Sequence, residues 1–227
     1  MRALAIVLAV LSLAAAGCGV GDESATPTAT GPAETGAGTG ATTPGCDDVP
    51  APESRAEGAR TAPDTTLDGQ TYRAVVTTNC GTFTITLDQQ ASPKAVASFV
   101  ALAEARFFDE TVFHRIVPGF VIQGGDPTAT GTGGPGYSTV DEPASSTTYT
   151  FGTVAMAKAP TEPAGTAGSQ FFVVTADDAG LPPDYAVIGT VTDGVDVVSR
   201  IGTLGDPQTE QPTQPVVIES IAIERSG

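Results

Sequence analysis

The chain of 227 residues has no tryptophan, one histidine and three cysteines, and its 26 acidic residues far outnumber its ten lysines and arginines. Each scarcity excludes something. Without an indole, no binding pocket can be walled by tryptophan. A lone imidazole, His114, and the lack of any CxxC pair exclude the His- and Cys-rich ligand sets of zinc centres. A formal charge of −16 disfavours a basic patch for nucleic acid or anionic lipid. There is no GxxxxGK[ST] phosphate loop, no paired-carboxylate metal cluster and no internal repeat. Gly131, Gly133 and Gly136 match GxGxxG literally, but Pro135 and the Gly-rich surroundings do not open a helix after a strand, so the match reads as a surface turn.

Long apolar runs are missing as well. Ala3 to Ala16 is too short to cross a bilayer comfortably, yet with Arg2 before it and Ala15, Ala16, Gly17 and Cys18 closing it, residues 1–18 read as a signal peptide. The small residues before Cys18 resemble a bacterial lipoprotein box, in which the cysteine is acylated and becomes the new N-terminus. Ala15 departs from the large aliphatic residue preferred there. The resemblance implies an exported, extracytoplasmic protein that meets the cell membrane through an N-terminal lipid on Cys18. The competing outcome, ordinary cleavage after Ala14, Ala15 and Ala16, gives a soluble secreted protein. With Cys18 lipidated, Cys46 and Cys80 remain as a candidate disulfide in an oxidising compartment. Residues 19–66 are rich in Thr, Ala, Gly and Pro and almost free of large apolar side chains, so they read as a disordered tether. A coil of around 48 residues holds its domain on the order of 40 Å from its anchor.

Residues 67–227 fit one domain with a single core. Tyr72 to Thr77 and Thr82 to Leu87 alternate about a turn at Asn79, Cys80 and Gly81, which predicts a β-hairpin. Ser92 as N-cap and Pro93 in the first turn open a helix with Val96, Phe99, Val100 and Ala103 on one face. Further strands are predicted at 112–117, 120–123, 152–157, 170–175, 187–191 and 216–224, with a short helix at 195–201. Two helices against about eight strands define a mainly β class of barrel type.

Function is most legible between Phe113 and Asp126, where one cation, Arg115, stands in an apolar run with Phe120 and Gln123 a few residues on and Pro118-Gly119 between them. If the flanking segments are strands, Arg115 and Gln123 face one cleft with Phe120: a fork of donors beside an apolar pocket, suited to an apolar ring and a peptide bond. The run FHRIVPGFVIQGGD, with GTGGPG at 131–136 and GSQFFVVT at 168–175, resembles the cyclophilins, peptidyl-prolyl cis-trans isomerases, over about Tyr72 to Glu224. The resemblance implies a closed eight-stranded β-barrel capped at both ends by helices. It implies catalysis by Arg115 with Phe120 and Gln123, a proline pocket of Phe120, Met156, Phe172 and Leu181, a groove lined by Ala157 and Gln170, and Tyr185 covering the pocket. Gly180 stands where many members carry tryptophan and Tyr185 where many carry histidine, which implies weak cyclosporin binding.

The isomerisation makes and breaks no covalent bond, so no cofactor, metal, nucleophile or base is called for. His114 accordingly reads as a half-buried ring satisfied by backbone, and Lys158 as a solvated surface cation. The expected partners are proline-containing polypeptide clients, with no nucleic acid, and the expected state is a monomer. A non-catalytic chaperone module that binds Pro-containing segments is the alternative reading of the same pocket.

Overall fold

The computed structural model describes residues 45–56, 58–64 and 66–226. The signal peptide expected over 1–18, Cys18 within it, and residues 19–44 of the expected tether lie outside the described residues. In chain order the elements are β1 (Thr71–Thr78), β2 (Gly81–Leu87), α1 (Pro93–Glu104), β3 (Thr111–Val112), β4 (Arg115–Val117), β5 (Val121–Gly124), β6 (Thr139–Val140), β7 (Thr153–Met156), β8 (Thr166–Ala167), β9 (Phe171–Val174), β10 (Val187–Asp193), α2 (Val195–Gly202) and β11 (Val217–Ser226).

Nine strands make one antiparallel sheet in the order β3-β11-β1-β2-β10-β7-β9-β5-β4, and β6 pairs with β8 as a separate ribbon. This corrects the expectation of a closed eight-stranded barrel: the sheet is an open, nine-stranded half-barrel capped by two helices. The physical reason lies in residues 111–117. The single strand predicted at 112–117 is broken at Phe113-His114, so that β3 pairs with β11 at one end of the sheet and β4 pairs with β5 at the other. Two segments joined by two residues cannot form a ladder with each other, and the gap is spanned by one isolated bridge, Val112 with Asp126.

The hairpin predicted at the start of the domain is β1–β2, with Tyr72, Ala74, Val76 and Thr78 pointing into the core. In α1, Val96, Phe99, Val100 and Ala103 are all buried. Ser92 stands at its N-cap but makes no side-chain cap; Asp141, just after β6, supplies the acceptor instead, its Oδ2 taking the Ala95 N–H at 2.7 Å. The core between helices and sheet is aromatic at its centre. Phe171 stacks edge-on against Phe99, Phe108 and Phe113 at centroid distances of 5.5, 5.9 and 6.0 Å.

Residues 45–56 and 58–64 fall within the expected tether, yet they are laid along the domain. Cys46 is bonded to Cys80. Arg55 donates its backbone N–H to Pro127 O at 2.8 Å and its Nη2 to Phe107 O at 2.7 Å, and the Arg60 backbone N–H reaches Pro135 O at 2.9 Å. The Arg60 guanidinium lies over the Phe107 ring at 5.2 Å. Composition did not reveal this strap because it is held by backbone groups and arginines and not by large apolar side chains.

Candidate active site

Side chains directly opposite one another on neighbouring antiparallel strands share a face. The pairing Arg115 with Gln123, Gln123 with Phe172, Phe172 with Ala155 and Ala155 with Val187 therefore sets one row across β4, β5, β9, β7 and β10 on the face away from the core. Val117, Val121 and Val174 form a second row on that same face. The intervening row, Ile116, Ile122, Val173 and Val154, points into the core.

Pro118 and Gly119 make the turn between β4 and β5. Gly119 has φ of 71°, the left-handed conformation that glycine adopts without a Cβ penalty, and the Phe120 N–H closes the turn on Val117 O at 3.0 Å. Phe120 O in turn accepts the Thr175 N–H at 2.9 Å, which fixes the Phe120 ring beside β9. Phe120, Val121, Tyr149, Phe172, Leu181 and Tyr185 belong to one apolar cluster with Ala155 and Ala157. Tyr185 meets Phe172 edge-on at 5.4 Å and Tyr149 at 6.0 Å.

Of the residues predicted for the pocket, Phe120, Phe172, Leu181, Ala157 and Tyr185 come together there. Met156 does not. It pairs with Phe171 and is fully buried in the main core, because one step along β7 from Ala155 turns the side chain to the opposite face. Val121 and Tyr149 take part and were missed. Val121 could have been found by alternation from Gln123. Tyr149 lies outside any strand, and its role rests on tertiary contacts: its hydroxyl donates to Tyr185 O at 2.8 Å and accepts from Tyr185 N–H at 2.9 Å. Burial pushes the Tyr149 phenol above its ordinary pKa.

A polar chain runs along the edge of this pocket. Arg115 Nη1 approaches Gln123 Oε1 at 3.5 Å, Gln123 Nε2 donates to Gln170 Oε1 at 3.0 Å, and Gln170 Nε2 donates to Gly133 O at 2.9 Å. On its other side Arg115 donates Nε–H to Glu210 Oε2 at 2.7 Å. Nη2 makes no hydrogen bond among the described residues, so Arg115, on the pocket face of β4, keeps N–H donors unengaged. Beyond Gln123 and Gln170 a cavity of about 720 Å³ opens, lined by residues 131–138, 157–160 and Glu162. Asp126, wholly buried, accepts the N–H groups of Thr128, Thr130, Gly131 and Gly133 and so fixes the glycine-rich wall of that cavity.

Two single-residue expectations change. Lys158 is not a solvated cation: its side chain is 3 % exposed, pairs with Asp184 at 2.7 Å, donates to Glu162 O at 3.1 Å and lies 5.6 Å from the centre of the Tyr185 ring. It ties the loop after β7 to the segment walling the pocket. His114 is half-buried as expected and lies beside the Val112 backbone, but neither ring nitrogen meets a partner in good hydrogen-bond geometry, and burial pulls its pKa down. Gly180 has φ of 61°, and a Cβ there would meet nothing within 4 Å, so the place where many cyclophilins carry an indole is open space. No group of three or more His, Cys, Asp or Glu among the described residues could hold a metal ion.

Known proteins resemble this chain over about two thirds of its length. Residues 73–223 match the family described as cyclophilin type peptidyl-prolyl cis-trans isomerase/CLD. The chain is 39% identical over 173 residues to a probable peptidyl-prolyl cis-trans isomerase A of Mycobacterium leprae, covering 68% of this chain and 93% of the relative. It is 40% identical over 171 residues to peptidyl-prolyl cis-trans isomerase B of Streptomyces anulatus, covering 66% and 95%. A crystal structure of a Cryptosporidium parvum cyclophilin type isomerase superposes with a TM-score of 0.64 at 30% identity, over 69% of this chain and 99% of that one. A second, determined in the presence of the dipeptide Ala-Pro, gives 0.63 at 32% identity, over 68% and 99%. The protein belongs to the cyclophilin family. It is a peptidyl-prolyl cis-trans isomerase, acting on X–Pro bonds.

Proposed function

We propose that Arg115 is the catalytic donor of this isomerase, that the cluster around Phe120 and Phe172 seats the proline ring, and that the clients are exported polypeptides. Rotation about the peptide C–N bond is opposed by about 18–20 kcal/mol because the nitrogen lone pair is delocalised into the carbonyl. As the bond twists, that lone pair returns to nitrogen and becomes an acceptor. A guanidinium N–H aimed at the imide nitrogen then bonds the twisted state and not the planar one, which is the condition for acceleration. The observation that carries this reading is the presence of unengaged N–H donors on Arg115, set in the same cross-strand row as Phe172.

A gain of five decades requires about 7 kcal/mol, at about 1.4 per decade. One charge-assisted hydrogen bond supplies about 1.5–3 kcal/mol. The remainder comes from holding the ring in the Phe120, Val121, Phe172 and Leu181 pocket and the flanking backbone at Gln123 and Ala157 while the other half of the bond turns. The cavity of about 720 Å³ beyond Gln170 takes the side chain preceding the proline in this reading. Arg115→Ala, with the fold intact by circular dichroism, is expected to lower the rate on an Ala-Pro peptide at least about tenfold in an NMR exchange assay. An unchanged rate would leave Pro-peptide binding without arginine-driven turnover as the function of the pocket.

Export rests on the segment 1–18, with its lipobox-like end at Cys18, and is supported by the Cys46–Cys80 bond, since disulfides persist in oxidising compartments. The mature protein is then a monomer tied to the membrane by its N-terminal lipid. Mass spectrometry of the mature N-terminus tests this: an acylated peptide beginning at Cys18 is expected, and an unmodified one beginning at Gly17 rules out the lipid.

A further inference from the structure

The open edge of the half-barrel is covered by a loop that reaches the catalytic arginine. β4 is the last strand of the sheet, so its outward backbone groups have no strand partner. Residues 205–212 lie against it. Ile116 N–H donates to Glu210 O at 2.8 Å, and a Cβ on Gly205 would fall 2.1 Å from Ile116 O, so this loop touches Ile116 at both its backbone groups. The loop is built to hold its shape: Glu210 N–H returns to Asp206 O at 2.8 Å, Asp206 N–H to Gln211 O at 2.8 Å, and the Asp206 carboxylate accepts the N–H groups of Gln208 and Thr209. Glu210 itself sits at φ of 58°, a left-handed conformation that a non-glycine residue adopts only where its surroundings impose it. One residue along β4 from Ile116, its carboxylate meets Arg115 Nε at 2.7 Å.

We propose that Glu210 is a positioning residue for isomerisation: by taking the Nε–H of Arg115, its carboxylate fixes the guanidinium plane so that an unengaged N–H of the fork is presented to the imide nitrogen. A guanidinium carries five N–H donors in one rigid fork, so engaging Nε determines where the other four point. Gln123, at 3.5 Å from Nη1, is too distant to set that plane alone. Both side chains of the pair are partly exposed, at 35% and 46%, a setting in which an ion pair adds little to stability. Orientation is therefore the property that its removal exposes.

The proposal rests on Arg115 as the donor, and the experiment separates the two claims. Arg115→Ala, Glu210→Ala, Glu210→Gln and the Arg115→Ala/Glu210→Ala double variant are compared by NMR exchange on an Ala-Pro peptide, with turnover and KM resolved. Glu210→Ala is expected to lower turnover about tenfold with KM held within about twofold, the signature of an interaction felt in the transition state. Glu210→Gln, which keeps an acceptor for Nε–H, is expected to restore most of that loss. In the Arg115→Ala background, removing Glu210 is expected to cost nothing further. The Arg115 Nε–Hε resonance is expected to be sharp and protected in the wild type and lost in Glu210→Ala. Full turnover in Glu210→Ala while Arg115→Ala is inactive would overturn the proposal alone. An equal fall in both backgrounds would overturn it too, by showing general damage to the loop. Full activity of Arg115→Ala would instead remove the reading of Arg115.

Discussion

Asp126 has no contact with the pocket, yet the wall of the adjoining cavity depends on it. Its Oδ1 takes the Thr128 N–H and hydroxyl, at 2.7 and 2.8 Å, and its Oδ2 takes the N–H groups of Thr130, Gly131 and Gly133. Burial alone would raise its pKa, but these hydrogen bonds outweigh burial and hold it below the ordinary 3.8. A carboxyl more acidic in the folded chain than in the unfolded one contributes stability above the unfolded value, and loses it as pH falls from 3.8 through the lower folded value. Asp126→Asn presents an NH₂ to donors on one side, so a loss of about 2–4 kcal/mol is expected in urea unfolding at neutral pH. The variant is also expected to lack the wild type's added loss of stability below pH 3.8; a variant as stable as the wild type would contradict this account. At the same scale, Arg115, Phe120 and Gln123 were legible in the sequence because one tight hairpin of nine residues brings them together. Glu210, 95 residues from Arg115, was not, because a loop's approach to a sheet edge leaves no local pattern. Met156 was placed in the pocket by the resemblance, yet one step along β7 turns it to the core, and in a strand buried on both faces apolar identity does not say which face a side chain takes; Val121, by contrast, follows from Gln123 by alternation along β5.

The same limit governs the elements. The hairpin β1–β2, with polar and apolar residues alternating, and helix α1, with its 3.6-residue periodicity, were legible within a residue or two of their observed ends. Residues 112–117 read as one apolar run, and nothing in it marks Phe113-His114 as the place where the chain passes from one end of the sheet to the other. The ribbon β6–β8 was invisible because each strand has only two residues. Leaving the half-barrel open puts β4 at an edge, and the loop 205–212 answers that exposure. Gly205 permits the close approach. In Gly205→Ala the added methyl would meet the Ile116 carbonyl, so the loop must lift from β4 at a cost of about 1–3 kcal/mol. The expected observable is local: amide exchange of Ile116, whose N–H is held by Glu210 O, speeds up at least about tenfold while amides of β1 and β2 keep wild-type protection. Unchanged protection at Ile116 would show that the loop does not guard the edge.

At the scale of the molecule, the strap of residues 45–56 and 58–64 precedes the family match, which begins at residue 73, yet it spans the domain. One end is fixed by Cys46–Cys80 at the β1–β2 turn, where Arg200 Nη1 also donates to Gly45 O and Cys80 O. The other end meets the glycine-rich wall, where Gly58 O lies so near Gly136 that a Cβ there would approach to 2.5 Å. The bridged cysteines are 34 residues apart. In the chain-entropy account, a closed loop of that length removes enough freedom from the unfolded state to stabilise the fold by roughly 3–4 kcal/mol. Neither cysteine belongs to the Phe120–Phe172 cluster, so stability and catalysis should respond differently. Reduction, or a Cys46→Ala/Cys80→Ala variant, is expected to shift the urea midpoint down by an amount corresponding to about 3 kcal/mol while turnover of an Ala-Pro peptide stays within about threefold. An unshifted midpoint would mean that the strap's backbone hydrogen bonds hold it without the bridge. A collapse of turnover in still-folded protein would mean that tension from the strap reaches the cavity wall, and hence the groove.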